Sequence, residues 1–205
     1  MMTVMRNKTT NSRSLTKEAS HERIVTAAAR AIRRSGYDGT GVADIMKEAG
    51  LTHGAFYAHF ESRDAMLAKA ADHAGAESNA LAAQVLAAAP SDQALQALMQ
   101  VYLSKEHIEG IETGCPISAL GSEMPRQSPE VRHAATSRIK EMIGLIARQF
   151  PDLEPQAAHE RALVTVSTLV GTLILARAVN DPTLSQSLCD ASLKSVVVPV
   201  GKPSS

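Results

Sequence analysis

The chain has 205 residues, 44% of them hydrophobic, 20% charged and 3% aromatic, with no Trp; this describes a soluble chain of one or two small domains and excludes fibrous, collagen-like and disulfide-scaffold classes. So few aromatics beside so many Ala, Leu and Met residues argue against a β-sandwich or barrel and for an all-α fold. Basic and acidic residues balance at 21 each, but residues 1–60 carry nine basic against five acidic side chains and the remainder twelve against sixteen, which fits either an anion-binding head on a more acidic body or a merely solvated basic surface.

Residues 1–15, with Arg6, Lys8 and Arg13 and little apolar content, predict a disordered basic arm. From Glu18, the apolar positions Ile24, Ala27, Ala28, Ala31 and Ile32 have helical spacing before Gly36 supplies a left-handed stop. Thr40 is placed to cap a second helix with Val42, Ile45, Met46 and Ala49 on one face and Gly50 at its end. Thr52 is placed to cap a third, and Leu51 and Phe56 have the spacing of a hydrophobic staple. Ser62 starts a fourth helix that runs to Ala89 and stops at Pro90. Ser91 to Glu109, Pro116 to Met124, Pro129 to Phe150 and Pro155 to Val179 read as four more, each bounded by Pro or Gly. A ninth covers Asp181 to Val198, and residues 199–205 read as a flexible tail. The apolar run Ala162 to Ala176 contains four hydroxyl side chains between Arg161 and Arg177, so it is expected to be a buried helix, too short and too polar to span a bilayer. Cys115 and Cys189, without a secretory signal, fit a reducing cytoplasm and no disulfide framework.

Two short helices joined by a tight turn with glycine, the second opened by a capping Thr, are the geometry that lays a recognition helix in the DNA major groove. The stretch from Thr40 to Leu67, with Ala49-Gly50-Leu51-Thr52 and Phe56-Tyr57-Ala58-His59-Phe60, resembles the DNA-binding signature of the TetR family of transcriptional regulators, over roughly residues 18–68. That resemblance implies an N-terminal three-helix bundle with a helix-turn-helix, over residues 16–61, and a C-terminal helical domain for ligand binding and dimerisation over residues 62–198. It implies that Thr52, His53 and Gly54 face the groove, that Tyr57 and His59 clamp phosphates, and that Thr40 with the start of the second helix adds a phosphate contact. A helix N-terminus offers unpaired N–H groups and partial positive charge, and Gly54 lets backbone approach. Phosphate contacts set register and affinity, whereas base contacts specify. His53 stands where the family often has Lys or Arg, Ala55 where a hydroxyl is common, and Arg63 where Lys is usual; Arg63 keeps the positive charge at the DNA-binding surface.

One helix-turn-helix reads few base pairs, so a palindromic operator on double-stranded DNA and a homodimer are expected. The eighth helix is apolar nearly all round, which implies burial on two sides, against its own core and against a partner copy, with the ninth helix beside it. By resemblance a small-molecule effector occupies a cavity in the body, and Met99, Tyr102, Leu103, His107, Met124 and Met142 are candidate wall residues. Cys115 precedes Pro116 and so takes an N-cap position that favours reactivity; its segment resembles a TetR subgroup with Gly-Cys there, some of whose members sense electrophiles or oxidants through the cysteine. An inert buried thiol is the alternative. The reading is a non-enzymatic, cytoplasmic repressor released by a small apolar or electrophilic effector, with no cofactor, metal or membrane partner. An electrophile-processing enzyme using Cys115 with His107 as base, and a general nucleoid-type DNA binder, are the competing functions.

Overall fold

A computed structural model describes residues 5–197, and side chains from 15 to 195. The helices are α1 (Met5–Ser35), α2 (Val42–Glu48), α3 (Arg63–Ala88), α4 (Ala94–Tyr102), α5 (Lys105–Glu109), α6 (Pro116–Leu120), α7 (Pro129–Ala147), α8 (Pro155–Ala178) and α9 (Pro182–Val197), with 3-10 turns at His53–Ala58 and Met124–Arg126. No strand is present among the described residues, and the fold is all-α.

Several boundaries differ from those expected. The helix α1 begins at Met5, inside the segment expected to be a disordered arm: residues 5–15 hold no Gly or Pro, so nothing breaks a helix already nucleated by the buried positions further along. Residues 1–4 of the arm and the tail 199–205 lie outside the described residues. The segment Ser91 to Glu109 is two helices, because Ser104 caps a new one by accepting the His107 amide at 3.2 Å. Thr40 does not cap α2; Gly41 holds that position, and the Thr40 hydroxyl donates to the Gly36 carbonyl at 2.7 Å. Ser62, in contrast, caps α3 as expected, accepting from the Ala65 amide.

The two glycines expected to stop helices have φ of 75° (Gly36) and 69° (Gly50). At Gly50 the Leu51 amide donates to Met46 O at 2.8 Å and the Gly50 amide to Lys47 O at 3.0 Å, the paired closure that turns a helix end through a left-handed residue. The segment that follows is a 3-10 turn rather than an α-helix. Six residues including Gly, His and Tyr are weak helix formers, the Thr52 hydroxyl makes no capping bond, and i→i+3 bonds close the turn, as from the Ala55 amide to Thr52 O at 3.0 Å.

The head core joins Ile24 and Ile32 of α1, Ile45 and Met46 of α2, and Phe56 and Phe60. It continues without a break into Met66, Leu67 and Ala70 of α3, Leu120 of α6 and Val131 of α7, so the head is seated on the body rather than strung from it. In the body α3 packs along α7, and α8 lies against α6, α7 and α9. The whole of α8, 24 residues with a mean hydropathy of 1.4 in its most apolar window, is long and apolar enough to cross a bilayer by length and composition only, a test that the core helix of a soluble protein also passes. Its contacts tell more. Ala162, Thr165, Leu169, Thr172, Leu173 and Ala176 are buried within the chain, while Leu163, Val164, Ile174 and Leu175 on other sides are exposed.

Candidate functional site

The helix closure at Gly50 and the packing of Leu51 against the head core fix where the next residues point. Phe56 and Phe60 enter the core with rings stacked 5.7 Å apart; Leu51 and Ala55 pack against that core, and Tyr57 and Ala58 are left exposed. Thr52, His53 and Gly54 are exposed. Tyr57 is 73% exposed, with its ring edge-on to Phe56 at 5.3 Å and His53 edge-on to it at 6.5 Å. A Cβ at Gly54 would meet nothing within 4 Å, so the backbone there is open to a groove.

His59 sits differently. It is half-buried, its Nδ1 has no hydrogen-bond partner among the described residues, and His21 of α1 lies 6.0 Å from it and stacks on Phe60 at 4.6 Å. Burial, then the nearby His21 and Lys17, hold the His59 imidazole below its ordinary value. An anion beside it would reverse that pressure, and His21 and Lys17 are neighbours that sequence spacing along α1 did not single out.

Two expected DNA contacts are committed elsewhere. Thr40 is buried at 4% exposure with its hydroxyl engaged. Arg63 donates from Nη2 to the Tyr37 carbonyl, and to the Thr40 carbonyl at 3.2 Å. It braces the loop between α1 and α2 from behind, because a guanidinium reaching two orphan carbonyls near a glycine turn satisfies them at no cost in exposed charge.

The second feature is a cavity of about 200 Å³ in the body, lined by apolar side chains from α3, α4, α7 and α8 together with Tyr102, His107, Thr113, Gly114, Cys115 and Met142. Of the expected wall, Tyr102, His107, Cys115 and Met142 are brought together. Met99 and Leu103 are not in the wall: both are buried in the core packed behind it. Met124 belongs to a much smaller void at the joint between head and body, and packs against the head core. The resemblance placed a cavity among these helices, but residue type could not tell its wall from the core behind it.

Cys115 takes the N-cap position of α6 as expected, yet α6 is only five residues long and the thiol is 1% exposed. His107 accepts the Cys115 amide proton on Nε2 at 2.9 Å, so its proton resides on Nδ1, which donates to the Tyr102 carbonyl at 2.7 Å. With both ring nitrogens held by backbone, His107 is not placed as a base for the Cys115 thiol. Burial holds its imidazole below the ordinary value, against the opposing pull of the Tyr102 carbonyl. The Tyr102 phenol is pushed up by burial and by Cys115. Arg177 of α8, also missed, donates to the carbonyls of Ile108 and His107 and to Ser118, tying α8 to both flanks of the loop between α5 and α6. No group of His, Cys, Asp and Glu able to hold a metal is found among the described residues.

Residues 24–70 match the family described as bacterial regulatory proteins, tetR family, and residues 90–184 match the LmrA/YxaF-like transcriptional regulator C-terminal domain. An uncharacterized HTH-type transcriptional regulator of Mycobacterium tuberculosis is 32% identical over 171 residues, covering 79% of this chain and 86% of the relative. The chain belongs to the TetR family of transcriptional regulators. The HTH-type regulator LmrA of Bacillus subtilis is 29% identical over 180 residues, 83% of this chain and 94% of its own. Among solved structures, a TetR regulator from Chloroflexus aurantiacus superposes with a TM-score of 0.72 at 25% identity, covering 88% of this chain and 93% of that one. Reduced Escherichia coli NemR gives 0.74 at 19% identity, covering 87% and 95%, a likeness of fold. TetR-family proteins are DNA-binding transcriptional regulators, typically repressors and non-enzymes, that bind operators, act as dimers and respond to small molecules. Neither the enzyme nor the nucleoid-type alternative finds support.

Proposed function

We propose that this TetR-family regulator is a cytoplasmic homodimeric repressor that reads a palindromic operator with Thr52, His53 and Gly54. In this reading Tyr57 and His59 hold phosphates, and a small, mainly apolar effector taken into the body cavity releases the DNA. The observation that carries it is the pairing, in one chain, of an exposed recognition turn on a closed core with a separate apolar cavity: Tyr57 is 73% exposed, and the body holds a cavity of about 200 Å³. That volume suits a ligand smaller than drug-sized ones. Dimerisation through α8 and α9 is supported by Leu163, Val164, Ile174, Leu175 and Leu184, each at least 41% exposed on these helices, an apolar face that a soluble chain normally covers. Thr40 and Arg63 act behind the DNA surface, Met99 and Leu103 behind the cavity, and Met124 away from it. The domain division runs near residue 61, with the head core continuing across it.

The test is selection of bound duplexes from genomic fragments, followed by affinity measurement over a range of salt. A twofold-symmetric site bound at least about 10³-fold more tightly than random duplex is the expected result. Equal affinity for all duplexes overturns the operator reading.

A further inference from the structure

We propose that His107 is the positioning residue that links the cavity wall to the DNA-binding head, through a hydrogen-bond series from the Tyr102 carbonyl to the His107 ring, the Cys115 amide, the Gly114 carbonyl and the Arg33 guanidinium. The inference rests on the reading of the cavity as the effector site and adds the means by which occupancy reaches the head.

One short loop, residues 110–115, faces both ways. Its Thr113, Gly114 and Cys115 line the cavity, while the Gly114 carbonyl accepts from Arg33 Nη1 of α1 at 3.3 Å and the Glu112 carboxylate pairs with Arg34 at 3.1 Å. Arg33 has no slack with which to absorb a movement of that carbonyl. Its side chain is 1% exposed, and it also donates from Nε to the Ala29 carbonyl at 3.0 Å and from Nη2 to Glu77 of α3 at 2.8 Å. The loop has none either: a Cβ on Gly114 would lie 2.7 Å from His107 Cδ2 and Nε2 and 2.9 Å from Arg177 Nη2, so ring, loop and guanidinium are already in contact. Beyond α6, the Glu123 carboxylate accepts the Tyr37 amide at 2.8 Å. Both ends of α6 are thus bound to the end of α1, which leads through the turn braced by Arg63 into α2.

His107 holds the cavity side of this loop. Its Nδ1 bond to the Tyr102 carbonyl and its edge-on contact with the Tyr102 ring at 4.8 Å fix it to α4, and its Nε2 fixes Cys115, the last residue of the loop. A ligand that displaces Tyr102 or the loop must therefore either break the bond at the Cys115 amide or draw the Gly114 carbonyl along Arg33. A ligand acts on the head only to the extent that it prefers one of these arrangements, and lying between two sites is not itself coupling, which needs a direct measurement.

The measurement is a double-mutant cycle on the affinity of the full-length protein for the duplex recovered by selection. His107→Phe keeps the ring and removes the acceptor; Arg33→Met removes the donor to Gly114. Each is expected to weaken operator binding roughly tenfold, and the double variant no more than the worse single, a coupling within the ordinary range between sites. His107→Gln, which carries an acceptor, is expected to restore most of the lost affinity, a rescue that a merely space-filling ring would not show. Effects that multiply to roughly a hundredfold in the double variant, singles within about twofold of wild type, or no rescue by His107→Gln each overturn the proposal. If His107→Phe does not fold, His107→Leu replaces it in the same cycle. Ala82→Phe narrows the cavity from α3 at a lining residue that is not part of the hydrogen-bond series and tests the underlying reading separately: a change in operator affinity there with an additive cycle removes the His107 link and leaves the effector site, whereas a coupled cycle with no effect of Ala82→Phe leaves a link between body and head but removes the cavity as the site whose occupancy it relays.

Discussion

The recognition turn and the loop 110–115 are both short, glycine-bearing and next to a Thr, yet they are built oppositely. In the turn, Phe56 and Phe60 face inward and every polar group that the reading assigns to DNA, apart from the half-buried His59, stands in solvent. In the loop, Gly114 and Cys115 are buried and their backbone groups are bound from two directions, by Arg33 and His107. A surface that meets a large polyanion needs displayed groups on a rigid mount. A segment that transmits a small ligand's presence needs the reverse, groups with no freedom of their own.

The largest expected break in this contrast is loss of the mount. Phe56→Ala removes a ring at 3% exposure and is expected to cost about 3–5 kcal/mol of stability in urea unfolding; a loss under about 1 kcal/mol shows that the turn is not held by this core. At the dimer face, Val164→Asp puts a charge at a position 59% exposed in one chain. It is expected to shift the protein to monomer in sedimentation without unfolding it, and an unchanged dimer places the interface elsewhere.

Next come the displayed groups. Tyr57→Ala is expected to weaken binding about tenfold on every duplex alike, whereas Thr52→Ala changes the ranking among operator variants by about 1–3 kcal/mol at one position. Identical profiles for the two variants remove the division between phosphate and base contacts. A smaller effect is carried by pH. Because burial lowers His59 and His107 in the fold, the unfolded chain takes up protons first, and stability contributed by these groups above the ordinary value of 6.5 is lost as pH falls below it. A phosphate beside His59 favours its protonation, so operator affinity is expected to rise as pH falls from 7.5 to 6 at fixed ionic strength. Opposite slopes of stability and affinity, with the affinity slope flattened in His59→Asn, are the expected pattern; parallel slopes remove His59 from the phosphate contact. The smallest expected effect is on operator binding by Cys115→Ser, which keeps the amide bonded to His107 and so leaves affinity unchanged. If the thiol is a sensor, that variant also loses any response to oxidants, and a retained response excludes it.

The sequence by itself determined the helical class, the glycine stops at 36 and 50 and the Ser62 cap, because spacing, caps and left-handed turns act within a few residues of chain. The family resemblance rested on the same local signals. Only the tertiary structure decided that Thr40 is buried and Arg63 bound to loop carbonyls, that Met99 and Leu103 stand behind the cavity and Met124 away from it, and that Arg33, His107 and Arg177 meet around one loop. Those facts depend on which helices cross where, and a buried polar side chain far along the chain from its partner, as Arg33 is from Gly114, leaves no periodic trace in the sequence.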